Sequence, residues 1–317
     1  MRRRGSSATG HPPASQEELP SIVAGPRRHR SGRRIGMPSE APRPPTEQVA
    51  LGFGGPEEEA EVEVSGSEGG RILLGPHAVS EALRAGRREV QVVFLSAEER
   101  GERFREIARL AKQRGVASRQ ADPDLLETLA AGRVHQGVAA LAGPYPYLGL
   151  GDVERIAVER GAETLAVALD QVQDPQNLGA ITRSSVAFGV DVIVMPERRA
   201  AGVTDAVVRA SAGATELMRM ARVPNLAEAL RRLSGAGIEV VGLDPEGEAD
   251  LATADLHPPV CLVFGAEGPG LRRLTRELCH RRVRIPIAAG GVASLNISVA
   301  AGIVLHAIRH PHRTERP

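Results

Sequence analysis

Lysine is nearly absent from this chain. Of 40 basic residues in 317, Lys112 is the only lysine. The phosphate loop of ATP- and GTP-hydrolysing proteins needs Gly-Lys-Ser/Thr, and Lys112 lies in AKQRG, so the sequence speaks against nucleotide hydrolysis. Cysteine is scarce as well. Cys261 and Cys279 provide no disulfide framework, which points to a reducing compartment. No apolar run reaches the roughly eighteen residues of a membrane span, and the Arg-rich N-terminus lacks the apolar core of a signal peptide. The expectation is a cytoplasmic protein without a membrane partner. Net charge is +1 and argues neither for nor against a polyanionic partner. The arginine excess reads first as GC-rich codon usage and second as an RNA-contacting surface.

What is present falls into blocks. Residues 1–69 run from basic (RRHRSGRR) to acidic (PEEEAEVEV), with Pro, Gly and Ser between, and hold too few apolar residues to offset the entropy of ordering. A disordered tail is expected there. Residues 70–144 read as a small α/β unit: RILL and QVVFLS as strands, RFREIARLAKQRG as an amphipathic helix, DLLETLAAG as a second helix and HQGVAALAG as a last strand. PYPYLGLGD (144–152) reads as a linker, placed at 145–152 between the two units. From 153 to 310, apolar runs (TLAVALD, DVIVM, IEVVGLD, PVCLVFG, RVRIPI) alternate with helical patterns. That alternation predicts an α/β fold with a mostly parallel, doubly wound sheet covered on both faces. The last helix, LNISVAAGIVLHAIRH, is apolar nearly all round to Leu305 and should be buried on more than one side. Residues 311–317 form a short tail.

Cofactor and metal patterns fail one by one. GLGDVE has two of the three dinucleotide glycines and follows a linker, and FGAEGPG follows a strand with the wrong spacing. Cys279 and His280 with His310 and His312 could be assembled into a zinc site, but the second pair lies where the last helix frays into the tail, so no metal is expected. No Ser stands in a G-x-S-x-G elbow. DPQNLGAITRSS (Asp174–Ser185) has the form of a strand-to-helix junction, the usual place for anions and nucleotides in open α/β sheets. On a helical wheel, Leu178, Ile181, Ser185 and Phe188 share one face, and Gly179, Ala180, Arg183 and Ala187 the other. The second face holds small residues around one arginine, which suits close approach of another chain or a ligand.

Three blocks in order, NLGAITRSS (177–185), LVFGAEGPGL (262–271) and RIPIAAGGVASLNISVA (284–300), resemble the motifs of the SpoU/TrmH family of RNA ribose 2′-O-methyltransferases, within the SPOUT superfamily. RASAGATE (209–216) is similar to the stretch between the first two, and GPHAVSEAL with HQGVAA resembles the family's substrate-binding domain. The resemblance implies a deep trefoil knot near the C-terminus and S-adenosylmethionine held in it mainly by main-chain groups. By motif position the cofactor contacts would be Gly265, Ile285 and Leu295, with Phe264 and Pro286 beside them. The catalytic set it implies is Arg183, Asn177, Glu267, Ser294 and Asn296. Because a guanidinium stays protonated in proteins, Arg183 is expected to hold a phosphate and stabilise a developing alkoxide. The resemblance further implies a homodimer whose sites use both chains and an RNA partner, 23S rRNA at a guanosine first, transfer RNA second. A non-catalytic RNA-binding assembly factor is the alternative of another class. The loop AAGGVA (288–293) reads as one residue longer than the family pattern.

Overall fold

A computed structural model describes residues 47–52, 59–64, 72–99, 101–288 and 294–310. Strands β1 (Glu47–Gly52) and β2 (Glu59–Val64) pair antiparallel, Glu47 opposite Val64. Both strands lie within the stretch 1–69 that composition reads as a tail. Alternating Glu and Val in EVEV suits an extended chain. The rest of 1–69, with residues 289–293 and 311–317, lies outside the described residues.

The small unit runs β3 (Ile72–Leu74), α1 (Pro76–Ala85), β4 (Val90–Ser96), α2 (Glu102–Gln113), β5 (Ala117–Ala121), α3 (Pro123–Ala130) and β6 (Val138–Ala142), with strand order β3-β6-β4-β5. Helix α2 buries Phe104, Ile107, Leu110 and Ala111, spaced three and four apart, and turns its charged face outward. Helix α3 starts at Asp122, whose carboxylate accepts from the Leu125 amide at 2.8 Å.

The stretch expected as a linker is docked along most of its length. The Tyr145 hydroxyl, on a residue 5% exposed, lies 3.1 and 2.5 Å from the Thr215 and Met218 carbonyls, and the Val203 amide donates to Tyr147 Oη at 2.6 Å. Leu150 to Asp152 already belong to α4 (Leu150–Arg160), because the Asp152 carboxylate accepts from the Gly149 amide at 2.9 Å and caps the helix start.

The large unit continues with β7 (Leu165–Leu169), α5 (Pro175–Ala187), β8 (Val192–Pro196), α6 (Asp205–Ala210), α7 (Ala214–Leu217), β9 (Met220–Val223), α8 (Leu226–Gly235), β10 (Glu239–Leu243), β11 (Ala249–Asp250), β12 (Val260–Phe264), α9 (Arg273–Leu278), β13 (Arg281–Arg284) and α10 (Ile297–Arg309). Its seven strands lie in the order β11-β13-β10-β12-β7-β8-β9, and every pairing is parallel. The short β9 and β11 carry too little apolar signal to stand out in sequence. Residues alternate between two cores: Leu165, Val167 and Leu169 of β7 pack with α5 and α10 residues, while Ala166 and Ala168 pack with α4 and α8 residues. Both faces are therefore covered, as the unbroken apolar strands require. Because β7 is followed on one side by β8 and flanked on the other by β12, strand order reverses between β7 and β12. A crevice at the C-terminal ends of those two strands is where such sheets bind ligands.

The two units share one hydrophobic cluster and a buried ion pair. Arg88 Nη1 lies 3.2 Å from Glu216 Oε1, with the two side chains 2% and 1% exposed, and Arg88 Nε donates to the Gly143 carbonyl at 2.7 Å. Burial raises the Glu216 carboxyl above its ordinary pKa, with Arg88 pulling it back down.

Candidate active site

The site is assembled at the β7/β12 crevice from three distant segments. Asp174 caps α5, its carboxylate accepting from the Gln176 and Asn177 amides at 3.1 and 3.4 Å. The cap fixes Asn177 in the first turn, where its side chain is 5% exposed. Asn177 Nδ2 donates to Glu267 Oε1 at 3.0 Å. Asn296 Nδ2 sits 2.9 Å from the same carboxylate oxygen and 2.9 Å from Asn177 Oδ1. Meanwhile Asn296 Oδ1 caps α10, accepting from the Ser298 amide at 2.8 Å. One Asn-Glu-Asn cluster thus ties the starts of α5 and α10 to the loop after β12.

That loop is held by its own backbone. Ala266 and Gly270 exchange two hydrogen bonds, 3.1 and 3.0 Å, and Gly268 and Gly270 have φ of +83° and +68°. A Cβ on Gly265 would lie 2.1 Å from the Gly270 carbonyl carbon. Gly265 is therefore required first by the loop's closure on itself, a reason additional to ligand approach. Buried Asp170, at the end of β7, anchors the loop's far end by accepting from the Arg272 amide at 3.0 Å and from Arg272 Nε at 2.6 Å.

A cavity of about 430 Å³ opens beside the cluster. Phe264, Gly265, Ile285 and Leu295 line it, as do Glu267, Ser294 and Asn296. Pro286 follows Ile285 on the chain and is not a lining residue, and neither are Asn177 and Arg183. The opposite wall, missed in sequence, comes from Leu243 to Glu246 and from Arg276, whose Nε is 3.1 Å from the buried Asp244 carboxylate. The acidic-turn signal LDPEGE after a predicted strand was its only trace.

Arg183 is exposed and lies six residues along α5 from Asn177, about 9 Å of helix rise. The wheel prediction for α5 holds for its core face, since Leu178, Ile181 and Ser185 are buried. The other face divides. Gly179 is buried against α6 of the same chain, where an added Cβ would meet the Ala210 Cβ at 2.4 Å. Its smallness serves helix packing, and the open stripe is Gln176, Ala180, Arg183 and Ala187. The residue-length question at 288–293 falls mostly outside the described residues.

Known proteins agree with this architecture. Residues 164–306 match the SpoU rRNA Methylase family, and residues 72–148 match the family described as RNA 2′-O ribose methyltransferase substrate binding. An uncharacterised tRNA/rRNA methyltransferase of Mycolicibacterium gilvum is 42% identical over 242 residues, covering 76% of this chain and 77% of its own. A Bacillus subtilis protein named as a TrmH family tRNA/rRNA methyltransferase, YacO, is 37% identical, covering 74% of this chain and 94% of its own. Among solved structures, the SpoU methyltransferase AviRb of Streptomyces viridochromogenes, in complex with AdoMet, is 30% identical with a TM-score of 0.61, covering 74% of this chain and 87% of its own. An AdoMet-bound rRNA methyltransferase of Sinorhizobium meliloti is 26% identical at a TM-score of 0.61, covering 74% and 85%. With both matched segments in order and the Asn177–Glu267–Asn296 cluster joining the three motif blocks, the chain belongs to the SpoU/TrmH family of RNA methyltransferases.

Proposed function

We propose that the protein transfers a methyl group from S-adenosylmethionine to a ribose 2′-hydroxyl, at a guanosine of 23S rRNA. The observation that carries the reading is the Asn177–Glu267–Asn296 cluster at the rim of the cavity. The cavity fits the cofactor. Phe264, Ile285 and Leu295 give apolar walls, and the turned backbone of 265–270 offers main-chain groups with no phosphate cradle. When bound, the cofactor supplies an electrophilic methyl on a sulfonium. A ribose hydroxyl taking that methyl would lose its O–H proton to solvent as the carbon–sulfur bond gave way, so alignment of oxygen, methyl and sulfur is what the residues must provide. Asn177 and Asn296 hold Glu267 and the loop in place, Ser294 and Leu295 border the methyl path, and Arg183 holds the adjacent phosphate and stabilises the forming alkoxide.

Arg183 stands apart from its own chain's cavity, which favours a homodimer in which each cavity receives the partner's arginine. Val299 and Ile303, one turn apart on α10 and 51% and 39% exposed, supply an apolar strip for such a contact. We also read a trefoil knot in the C-terminal part of the large unit. Support comes from the self-closed loop after β12 and the passage of the chain from β13 back to α10, which packs on α5. The separate small unit favours ribosomal over transfer RNA. Incubation with methyl-tritiated S-adenosylmethionine and 23S rRNA should give label in alkali-resistant dinucleotides. Cofactor binding without incorporation into any RNA would favour the assembly-factor alternative.

A further inference from the structure

We propose that the outer face of α2 and the adjoining edge of β5 form a second RNA-binding surface, which grips the phosphodiester backbone away from the reacting nucleotide. The inference rests on the RNA-substrate reading and adds to it a place of contact.

The chain is rich in arginine, and on most of its helices those arginines are spoken for. On α8, Arg232 pairs with Glu228 and Glu154 at 2.9 and 3.2 Å, and Arg231 pairs with Glu228. On α4, Arg155 pairs with Asp152 and Glu159; on α9, Arg273 pairs with Glu277. Helix α2 differs. Arg103, Arg105, Arg109 and Lys112 are all exposed, and none has an ion-pair partner among the described residues. Of the two acids on α2, Glu106 is taken by Arg84 of α1, and Glu102 makes no ion pair with any of the four among the described residues.

Spacing sharpens the contrast. Arg105, Arg109 and Lys112 stand at i, i+4 and i+7, one stripe down one face. A solvated helix face gains from opposite charges at i, i+4, whereas like charges there destabilise it. Lys112 is explained by the negative C-terminal end of the helix. Arg105 and Arg109 are not. A cationic stripe with no ion-pair partner among the described residues is complementary to a polyanion.

The ground beside it is open. Arg109 and Lys112 border a shallow groove whose other walls are Ala108 and the segment Gly115 to Ser118. Strand β5 pairs with β4 on one side only, and Ala117 to Gln120 are all exposed. Its free edge presents main-chain donors and the Ser118 hydroxyl to the groove. Helix α1 packs against α7 of the large unit, while Arg105, Arg109 and Lys112 of α2 stay exposed. The occupant is therefore the ribose-phosphate backbone of a long RNA, held through phosphates and without base readout.

The test compares two charge-matched triple variants of the full chain: Arg105→Gln/Arg109→Gln/Lys112→Gln, and Arg155→Gln/Arg231→Gln/Arg273→Gln as the control on other helices. Filter binding to 23S rRNA and to bulk transfer RNA is measured across a salt series, with methyl transfer alongside. The α2 variant should bind its RNA at least about tenfold more weakly, with the slope of log K against log salt reduced by about 2 to 3, the control staying near wild type. KM for RNA should rise while kcat at saturation holds. Equal losses in both variants, or an α2 variant that binds and methylates like wild type, would overturn the surface and leave the methyltransferase reading intact. α2-dependent binding without methyl transfer would leave the surface standing and remove that reading.

Discussion

Arg183 is the residue on which the proposed chemistry turns. It is exposed on α5, so Arg183→Ala should leave the melting temperature unchanged while lowering kcat by about 10²- to 10³-fold, the usual cost of a lost charge-stabilising donor. Steady-state transfer and thermal unfolding measured on one preparation check both halves. Gly265 makes the opposite kind of demand. Since a Cβ would overlap the Gly270 backbone at 2.1 Å, Gly265→Ala should abolish S-adenosylmethionine binding in calorimetry, and near-normal affinity would contradict the loop geometry. Cys279 is a third case. Burial pushes its thiol up to about 11, so iodoacetamide should label it slowly at neutral pH and faster as pH climbs toward that value. The proposed catalytic set was legible only through the motif blocks that carry it, and of its members Asn177, Glu267 and Asn296 meet in the fold, with Ser294 lining the cavity. Asp170 and Arg272 were not readable, for their partnership spans 102 positions and only the folded chain brings them together.

Elements show where local pattern stops being informative. The two core faces of β7 and the buried face of α5 follow from periodicity, but the purpose of Gly179 does not. A glycine facing α6 and a glycine facing a ligand look alike on a wheel. Gly179→Ala should cost about 1–3 kcal/mol in chemical denaturation by forcing α5 from α6. The docking of α1 on α7 is equally silent in sequence, because Arg88 and Glu216 lie 128 positions apart. Truncating Glu216→Ala leaves the Arg88 charge buried and should cost about 3–5 kcal/mol, whereas the apolar pair Arg88→Met with Glu216→Leu should recover most of it. Failure of that recovery would show that the pair does more than neutralise itself. The antiparallel β1–β2 pair did not stand out for a related reason: composition reads the whole stretch as a tail, and the short EVEV alternation was outweighed by its surroundings.

At the scale of the molecule, a site shared between chains makes a simple numerical demand. Arg183→Ala and Glu267→Ala variants, each inactive alone, should regain activity when dissociated and mixed, up to about a quarter of wild type, since about half the dimers are mixed and each carries one intact site. A site confined to one chain gives no recovery. The central claim, that this chain places a 2′-O-methyl group on 23S rRNA, is tested most directly by mapping 2′-O-methylated positions in ribosomal and transfer RNA from cells with and without the gene. The account predicts one guanosine of 23S rRNA that loses its methyl group in the deletion and regains it from the wild-type gene but not from Arg183→Ala. Loss of a transfer-RNA position, or no loss at all, would contradict it.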